Sequence, residues 1–328
     1  MCSRPRCAPR KKSRFFERTL ALPNGGYLRR QRSRSRRPPS GPARSDAEVL
    51  VESLLKRERA VALTIAGLDP SGGAGILADL TAFRSAGAWG CCVCTALTAQ
   101  SPHAFDGILP VDAAFVRRQL TRLIADVRIC AVKIGAIGSP RNVLAIARAL
   151  ATIPNIPVVL DPVVHATRAR STRMRLDGGA GAAAMKPLLR RATLITPNVH
   201  EAEALLGRSI RDVAQARQAT LDLLQFGSRF VLLKGGHLRA VRVVDHLATQ
   251  TGAVHAMSHV RRETSGGVHG TGCLTSSLIT GWLSVHAANH VNDRAMLDAV
   301  LWARRKLQAS LRSPKGIGKG QRVLMMGA

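Results

Sequence analysis

From residue 61 onward, short apolar runs alternate with stretches of helical spacing. Val61-Ala62-Leu63-Thr64-Ile65-Ala66-Gly67 is apolar and ends in glycine, which predicts a buried strand. Residues 76–86 then carry Ile76, Leu80 and Phe83 on one face of a predicted helix. The rhythm repeats. Strands are predicted over 91–99, 130–135, 158–160, 193–196 and 230–233. Helices are predicted over 112–126, 140–150, 182–191 and 212–226, and a further one opens at 197–201. In the first of these, Phe115, Leu120, Leu123 and Ile124 are available to a core. Ser139-Pro140 reads as a cap followed by proline in the first turn. Residues 241–247 and 252–259 predict a β pair at the edge of a sheet. Helices over 274–285 and 293–309 follow, and there is no internal repeat. Alternation of this kind predicts an α/β fold with a largely parallel sheet, covered by helices on both faces. Ligand loops then belong at the strands' carboxyl ends.

Residues 1–58 break the pattern. Fourteen Arg or Lys stand against Glu17 alone in residues 1–44, and Arg32-Ser33-Arg34-Ser35-Arg36-Arg37-Pro38-Pro39 is of low complexity. This segment is expected to be a disordered basic extension, and residues 59–328 the folded domain. Three readings of the extension stay open: an arm for nucleic acid or phospholipid, an organelle transit peptide, or an extension without function. Residues 48–59 could form a short amphipathic helix leading into the domain. The whole chain of 328 residues carries a formal charge of +29, which raises the question of nucleic acid. Aromatic residues make up 3%, too few for base-stacking platforms to be the main business of the fold. The seven cysteines show no paired spacing; Cys91-Cys92-x-Cys94 lacks a second pair, so no zinc site is expected. A reducing, cytoplasmic setting fits them. No run approaches the ~18 apolar residues of a membrane span.

Candidate chemistry gathers at the loops. In Val268-His269-Gly270-Thr271-Gly272-Cys273, small residues precede a helix, so backbone N–H groups can converge on an anion at the positive end of the helix dipole. Cys273 opens that helix, where a thiol pKa is expected to fall and a thiolate to serve as base. The alternative is a glycine turn with a small buried cysteine. Residues 69–75 form a flexible loop whose glycines fit neither the dinucleotide fingerprint nor a Walker A motif. Gln100, at a strand's end, can read a planar heterocycle or simply be solvated. Asp161 is delivered at the carboxyl end of a strand, and Lys234 precedes two glycines at the end of another. Asn198 and Glu201, three apart, read equally as ligands of a metal-bound phosphate and as a capping box. Residues 167–181 are basic and glycine-rich, a loop of the kind that closes over a site.

Taken in order, these segments resemble the hydroxymethylpyrimidine and phosphomethylpyrimidine kinases of thiamine biosynthesis, in the ribokinase-like superfamily. The matching stretches are Ala62 through Gly67 with Asp69-Pro70-Ser71-Gly72-Gly73-Ala74-Gly75, Thr95-Ala96-Leu97-Thr98-Ala99-Gln100, Val132-Lys133-Ile134-Gly135, Leu160-Asp161-Pro162-Val163, Thr196-Pro197-Asn198 with Glu201, Lys234-Gly235-Gly236-His237 and His269-Gly270-Thr271-Gly272-Cys273. The resemblance implies a three-layer α/β/α sandwich that uses ATP and Mg2+. It implies Cys273 as general base, with Gly270, Thr271 and Gly272 offering N–H groups to the phosphoryl group. Ala74, Gln100 and Val163 match pyrimidine-pocket positions, joined by Ala136, where the family usually has methionine. Lys234 and Asn198 would meet ATP, and Asp161 and Glu201 the metal. It further implies a homodimer acting twice, on an alcohol and then on its monophosphate. Pyridoxine or pyridoxal kinase shares the fold and is the near alternative. A basic nucleic-acid-binding protein on a degenerated kinase scaffold is the distant one.

Overall fold

Every strand predicted from the apolar runs forms, and all lie in one sheet. The computed structural model describes residues 59–163, 181–262, 267–287, 290–324 and 326. The chain divides into two units, Met1–Arg57 and Glu58–Ala328, and the fold described is that of the second. The expectations for residues 1–58 and for the loop at 167–180 lie outside the described residues. In chain order the elements are β1 (Val61–Leu68), α1 (Gly75–Ser85), β2 (Trp89–Gln100), β3 (Phe105–Pro110), α2 (Ala113–Asp126), β4 (Ala131–Ile134), α3 (Pro140–Leu150), β5 (Val158–Leu160), α4 (Gly181–Arg191), β6 (Leu194–Ile195) and α5 (Val199–Leu206). There follow α6 (Val213–Asp222), β7 (Phe230–Leu233), β8 (Arg242–Thr249), β9 (Val254–Val260), α7 (Thr271–His286) and α8 (Asp293–Ser310).

The nine strands run in the order β3-β2-β1-β4-β5-β6-β7-β8-β9. The six from β2 to β7 pair in parallel, and β3, β8 and β9 pair antiparallel, with β3 and β9 at the edges. Strand alternation divides the core into two layers. Leu63, Ile65, Val132, Ile134, Val158, Leu160, Val231 and Leu233 face one side and pack with α2 to α6 through residues such as Leu120, Ile146 and Leu188. Ala131, Val159, Phe230 and Leu232 face the other, against Leu274, Leu278 and Ile279 of α7 and Met296 and Val300 of α8. Among the described residues, no helix is long and apolar enough to cross a membrane.

Three expectations change. Residues 105–110 carry no strand signal, because Asp106, Gly107 and Pro110 interrupt the apolar positions, yet they form β3. An edge strand bonded on one side tolerates such residues. Phe115 is not a core residue: Val116 and Leu120 are the buried positions of α2, while the Phe115 ring lies exposed under the Arg118 guanidinium, 5.1 Å away. The helix expected over 212–226 ends at Asp222, with Asp212 as its N-cap, and a 3-10 turn spans Leu223–Phe226.

Candidate active site

The alternation that builds the core also aims one charged group away from water. In β4, Lys133 stands between Val132 and Ile134, so it points to the opposite side, toward α1 and α7. Asp79 of α1 meets it there, and neither side chain has any exposed surface. The Lys133 Nζ donates to both Asp79 oxygens at 2.8 Å. Thr64 of β1 and Ser277 of α7 each donate a hydroxyl hydrogen bond of 2.5 Å to the same carboxylate. Burial pulls the Lys133 ammonium down, but Asp79, Cys273 and Asp161 outweigh it and hold the group above its ordinary value.

A second pair joins strand ends. Asp161 follows β5 and Lys234 follows β7, and Lys234 Nζ donates to Asp161 Oδ1 at 2.9 Å. Thr196 at the end of β6 donates to the same oxygen at 3.1 Å. Glu201 lies in the first turn of α5, and its carboxylate accepts from the Asn198 N–H at 2.8 Å while Asn198 Oδ1 accepts from the Glu201 N–H at 3.0 Å. The capping box is therefore formed, and both of its members also face the cavity. Burial raises the Glu201 carboxyl to about 7, with Asp161 adding to the rise and Lys234 opposing it.

The turn before α7 approaches both groups. Gly270 is the N-cap residue with φ +80°, and a Cβ on it would lie 1.8 Å from the Gly73 carbonyl oxygen. Only glycine permits this contact. A Cβ on Gly272 would lie 3.2 Å from Lys234 Nζ, so the ammonium sits directly beside the turn. Cys273 is the third residue of α7 and is half-buried as a residue. Its pKa is not lowered as the helix terminus alone predicts. Desolvation pushes it up to about 11; Lys133 and Lys234 pull it down, and Asp161 and Asp79 push it further up. The low-dielectric surroundings outweigh the dipole.

All twelve residues singled out in the sequence line one cavity of about 760 Å³: Ala74, Gln100, Ala136, Asp161, Val163, Asn198, Glu201, Lys234, Gly270, Thr271, Gly272 and Cys273. Oriented N–H groups, an ammonium, two carboxylates and a thiol thus share one enclosure with apolar walls. That combination can hold a polyanion and move a proton at an acceptor hydroxyl.

The cavity also contains groups to which motif reading gave no role. Arg304 of α8 pairs with Asp245 of β8, and burial lowers the Arg304 guanidinium to about 10. Asp245 Oδ1 in turn accepts from the Gly235 N–H at 2.9 Å, next to Lys234. His269 Nε2 lies 2.8 Å from Asp69 Oδ2. Two further residues left without a role had a signal. Asp79 falls on the apolar face of α1, and Lys133 interrupts an apolar strand; buried charges at such positions require a partner. Arg304 and Asp245 had none, since both sit in mixed-polarity segments.

The profile of the phosphomethylpyrimidine kinase family matches residues 69–325. The chain is 38% identical over 265 residues to a hydroxymethylpyrimidine/phosphomethylpyrimidine kinase of Salmonella typhimurium, covering 80% of this chain and 96% of that one. It is 37% identical over 262 residues to the thiamine biosynthesis bifunctional protein ThiED of Geobacter sulfurreducens. That match covers 80% of this chain and 51% of the relative, so the chain spans about half the length of ThiED. Among solved structures, it is similar to an ADP complex of Bacillus subtilis pyridoxal kinase, with a TM-score of 0.71 and 26% identity over 82% of this chain and 98% of that one.

Proposed function

The chain belongs to the phosphomethylpyrimidine kinase family, and from that premise we propose that it transfers a phosphoryl group from ATP to 4-amino-5-hydroxymethyl-2-methylpyrimidine, then a second to the monophosphate, in thiamine diphosphate biosynthesis. The observation that carries this reading is the turn at Gly270–Gly272, set beside the Lys234 ammonium and continuous with the Cys273 thiol in one cavity. Phosphoryl transfer asks a protein mainly for positioning and for charge stabilisation, and these groups provide both. The N–H groups of the turn and Lys234 would take the migrating phosphoryl. Gln100, Ala74, Val163 and Ala136 would seat the aminopyrimidine, with Gln100 donating to and accepting from its ring edge. Cys273 would take the acceptor's proton. A thiol raised to about 11 is a strong base once ionised and a scarce one near neutrality, so turnover should climb with pH.

Asp161 and Glu201 fit a hard divalent cation, because two carboxylates line one cavity and Lys234 only partly offsets the desolvation of Glu201. They would hold Mg2+, which when bound neutralises phosphate charge. Asn198 orients Glu201 through the capping box and would stand at the nucleotide. A homodimer belongs to the same reading, supported by Leu97 and Leu109, which pair across β2 and β3 at the sheet edge and are exposed. The cytoplasmic setting is likewise proposed, resting on the five free cysteines among the described residues. The likeness to a pyridoxal kinase structure favours a second reading, that pyridoxal is the acceptor. Purified protein with ATP–Mg and each alcohol in turn separates the two: the first reading requires faster transfer to the hydroxymethylpyrimidine, and faster transfer to pyridoxal overturns it.

A further inference from the structure

We infer that Asp69 and His269 are positioning residues that latch the acceptor loop to the phosphoryl turn and so set the distance across which transfer occurs. Residues 69–75 carry Ala74 to one wall of the cavity, and the turn 269–272 forms another. These segments lie 200 residues apart in the chain. Their side-chain link is a single carboxylate. Asp69 Oδ1 accepts from the Ser71 N–H at 2.8 Å and from the Ser71 hydroxyl at 2.7 Å. Its Oδ2 accepts from the Ala74 N–H at 2.9 Å and meets His269 Nε2 at 2.8 Å. One group therefore folds the acceptor loop and ties it to the turn.

The surroundings leave the latch little room to move. Asp69 has 2% of its side chain exposed and His269 15%. A Cβ on Gly73 would lie 2.4 Å from the His269 ring, and one on Gly270 would strike the Gly73 carbonyl, so the two backbones already touch. On its far side the turn is pinned by the His269 N–H donating to the Arg322 carbonyl at 2.9 Å. Burial would raise the Asp69 carboxyl, but the hydrogen bonds from His269 and Ser71 outweigh it and hold the group below its ordinary value. The carboxylate thus stays ionised, as an acceptor of four bonds must. Both residues also line the cavity, and the role assigned to them is the bond they make to each other rather than contact with the reacting atoms. Their effect is on the spacing between acceptor and phosphoryl group, to which transfer rates are steeply sensitive.

The kinetic half of this inference rests on the kinase reading above; the structural half does not. The test compares wild type, His269→Ala, His269→Gln, Asp69→Asn and the His269→Ala/Asp69→Asn double variant as full chains. Hydrogen exchange at peptides covering residues 70–74 should quicken about tenfold in His269→Ala, with α1 unchanged, as expected for losing one hydrogen bond. Turnover should fall roughly tenfold to a hundredfold with KM for ATP held, and His269→Gln, which keeps a donor toward Asp69, should recover most of it. The double variant should be no slower than the slower single variant. Unchanged exchange in His269→Ala overturns the latch. Loosened exchange with undiminished turnover, or additive losses in the double variant, overturns the positioning role. A wild type that phosphorylates no acceptor sinks the kinase reading, while the exchange measurement still decides the latch.

Discussion

Replacing Lys133 with methionine isolates the buried ion pair beneath the site. The substitution keeps an unbranched chain of similar length and removes the ammonium, leaving Asp79 without its cation at a position with no exposed surface. Asp79 would keep its two hydroxyl donors, Thr64 and Ser277, and lose both 2.8 Å bonds from Lys133. Breaking a buried pair from one side costs about 3–5 kcal/mol, whereas an exposed pair contributes about 0–1 kcal/mol. The full burial of both partners places this pair in the first class. Urea unfolding of the full chain, followed by far-UV circular dichroism, reads the loss as a lower midpoint with an unchanged slope. In Lys133→Met/Asp79→Asn an amide replaces the stranded carboxylate; it can accept from Thr64 and donate to Ser277, so more than half of the loss should return. The pair also bears on chemistry, because Lys133 is the largest favourable charge acting on the Cys273 thiol. Alkylation of that thiol at fixed pH should therefore slow in Lys133→Met. A loss under about 1 kcal/mol would refute the assignment of a fully desolvated pair. So would a double variant no more stable than the single one.

Cys273→Ser should lower turnover by about a hundredfold with little change in nucleotide affinity, because a hydroxyl ionises far less readily than even a thiol raised to about 11. Turnover that matches wild type in steady-state assays would remove Cys273 as the base. Glu201 makes stability pH-dependent: its folded carboxyl, raised to about 7 from an ordinary 4.5, holds a proton that the unfolded chain has already released. Without divalent cation, stability contributed by this group is present below pH 4.5 and is lost as pH rises through about 7. Glu201→Gln should flatten that decline in unfolding curves, and Mg2+, by binding the ionised folded carboxylate, should reduce it in the wild type. Sedimentation should give a dimer that Leu109→Lys weakens; an unaltered dimer would exclude the exposed β2–β3 edge as its surface.

The sheet was legible because parallel strands buried on both faces read as unbroken apolar runs, and eight of the nine strands have such runs or partner each other in an edge hairpin. β3 was not, since an edge strand with Gly107 and Pro110 obeys no such pattern. The loops at the strands' carboxyl ends were legible through their small residues, and every residue drawn from them lines the cavity. Electrostatics was harder to read. A thiol at a helix N-terminus looks acidified in one dimension, but burial reverses the shift at Cys273, and the charges that act on it come from α1, β4 and the ends of β5 and β7. The Asp69–His269 contact spans 200 residues and has no local spacing to betray it. Asp79 and Lys133 were the opposite case, visible as charges on apolar faces and requiring only the recognition that each implies the other.

The most direct test of the account follows the hydroxymethylpyrimidine, its monophosphate and its pyrophosphate separately over time, with ATP–Mg and with pyridoxal as the competing acceptor. The monophosphate should appear first and be converted to the pyrophosphate by the same protein, both at rates above that for pyridoxal. Faster phosphorylation of pyridoxal, or no transfer to either pyrimidine acceptor, would contradict it.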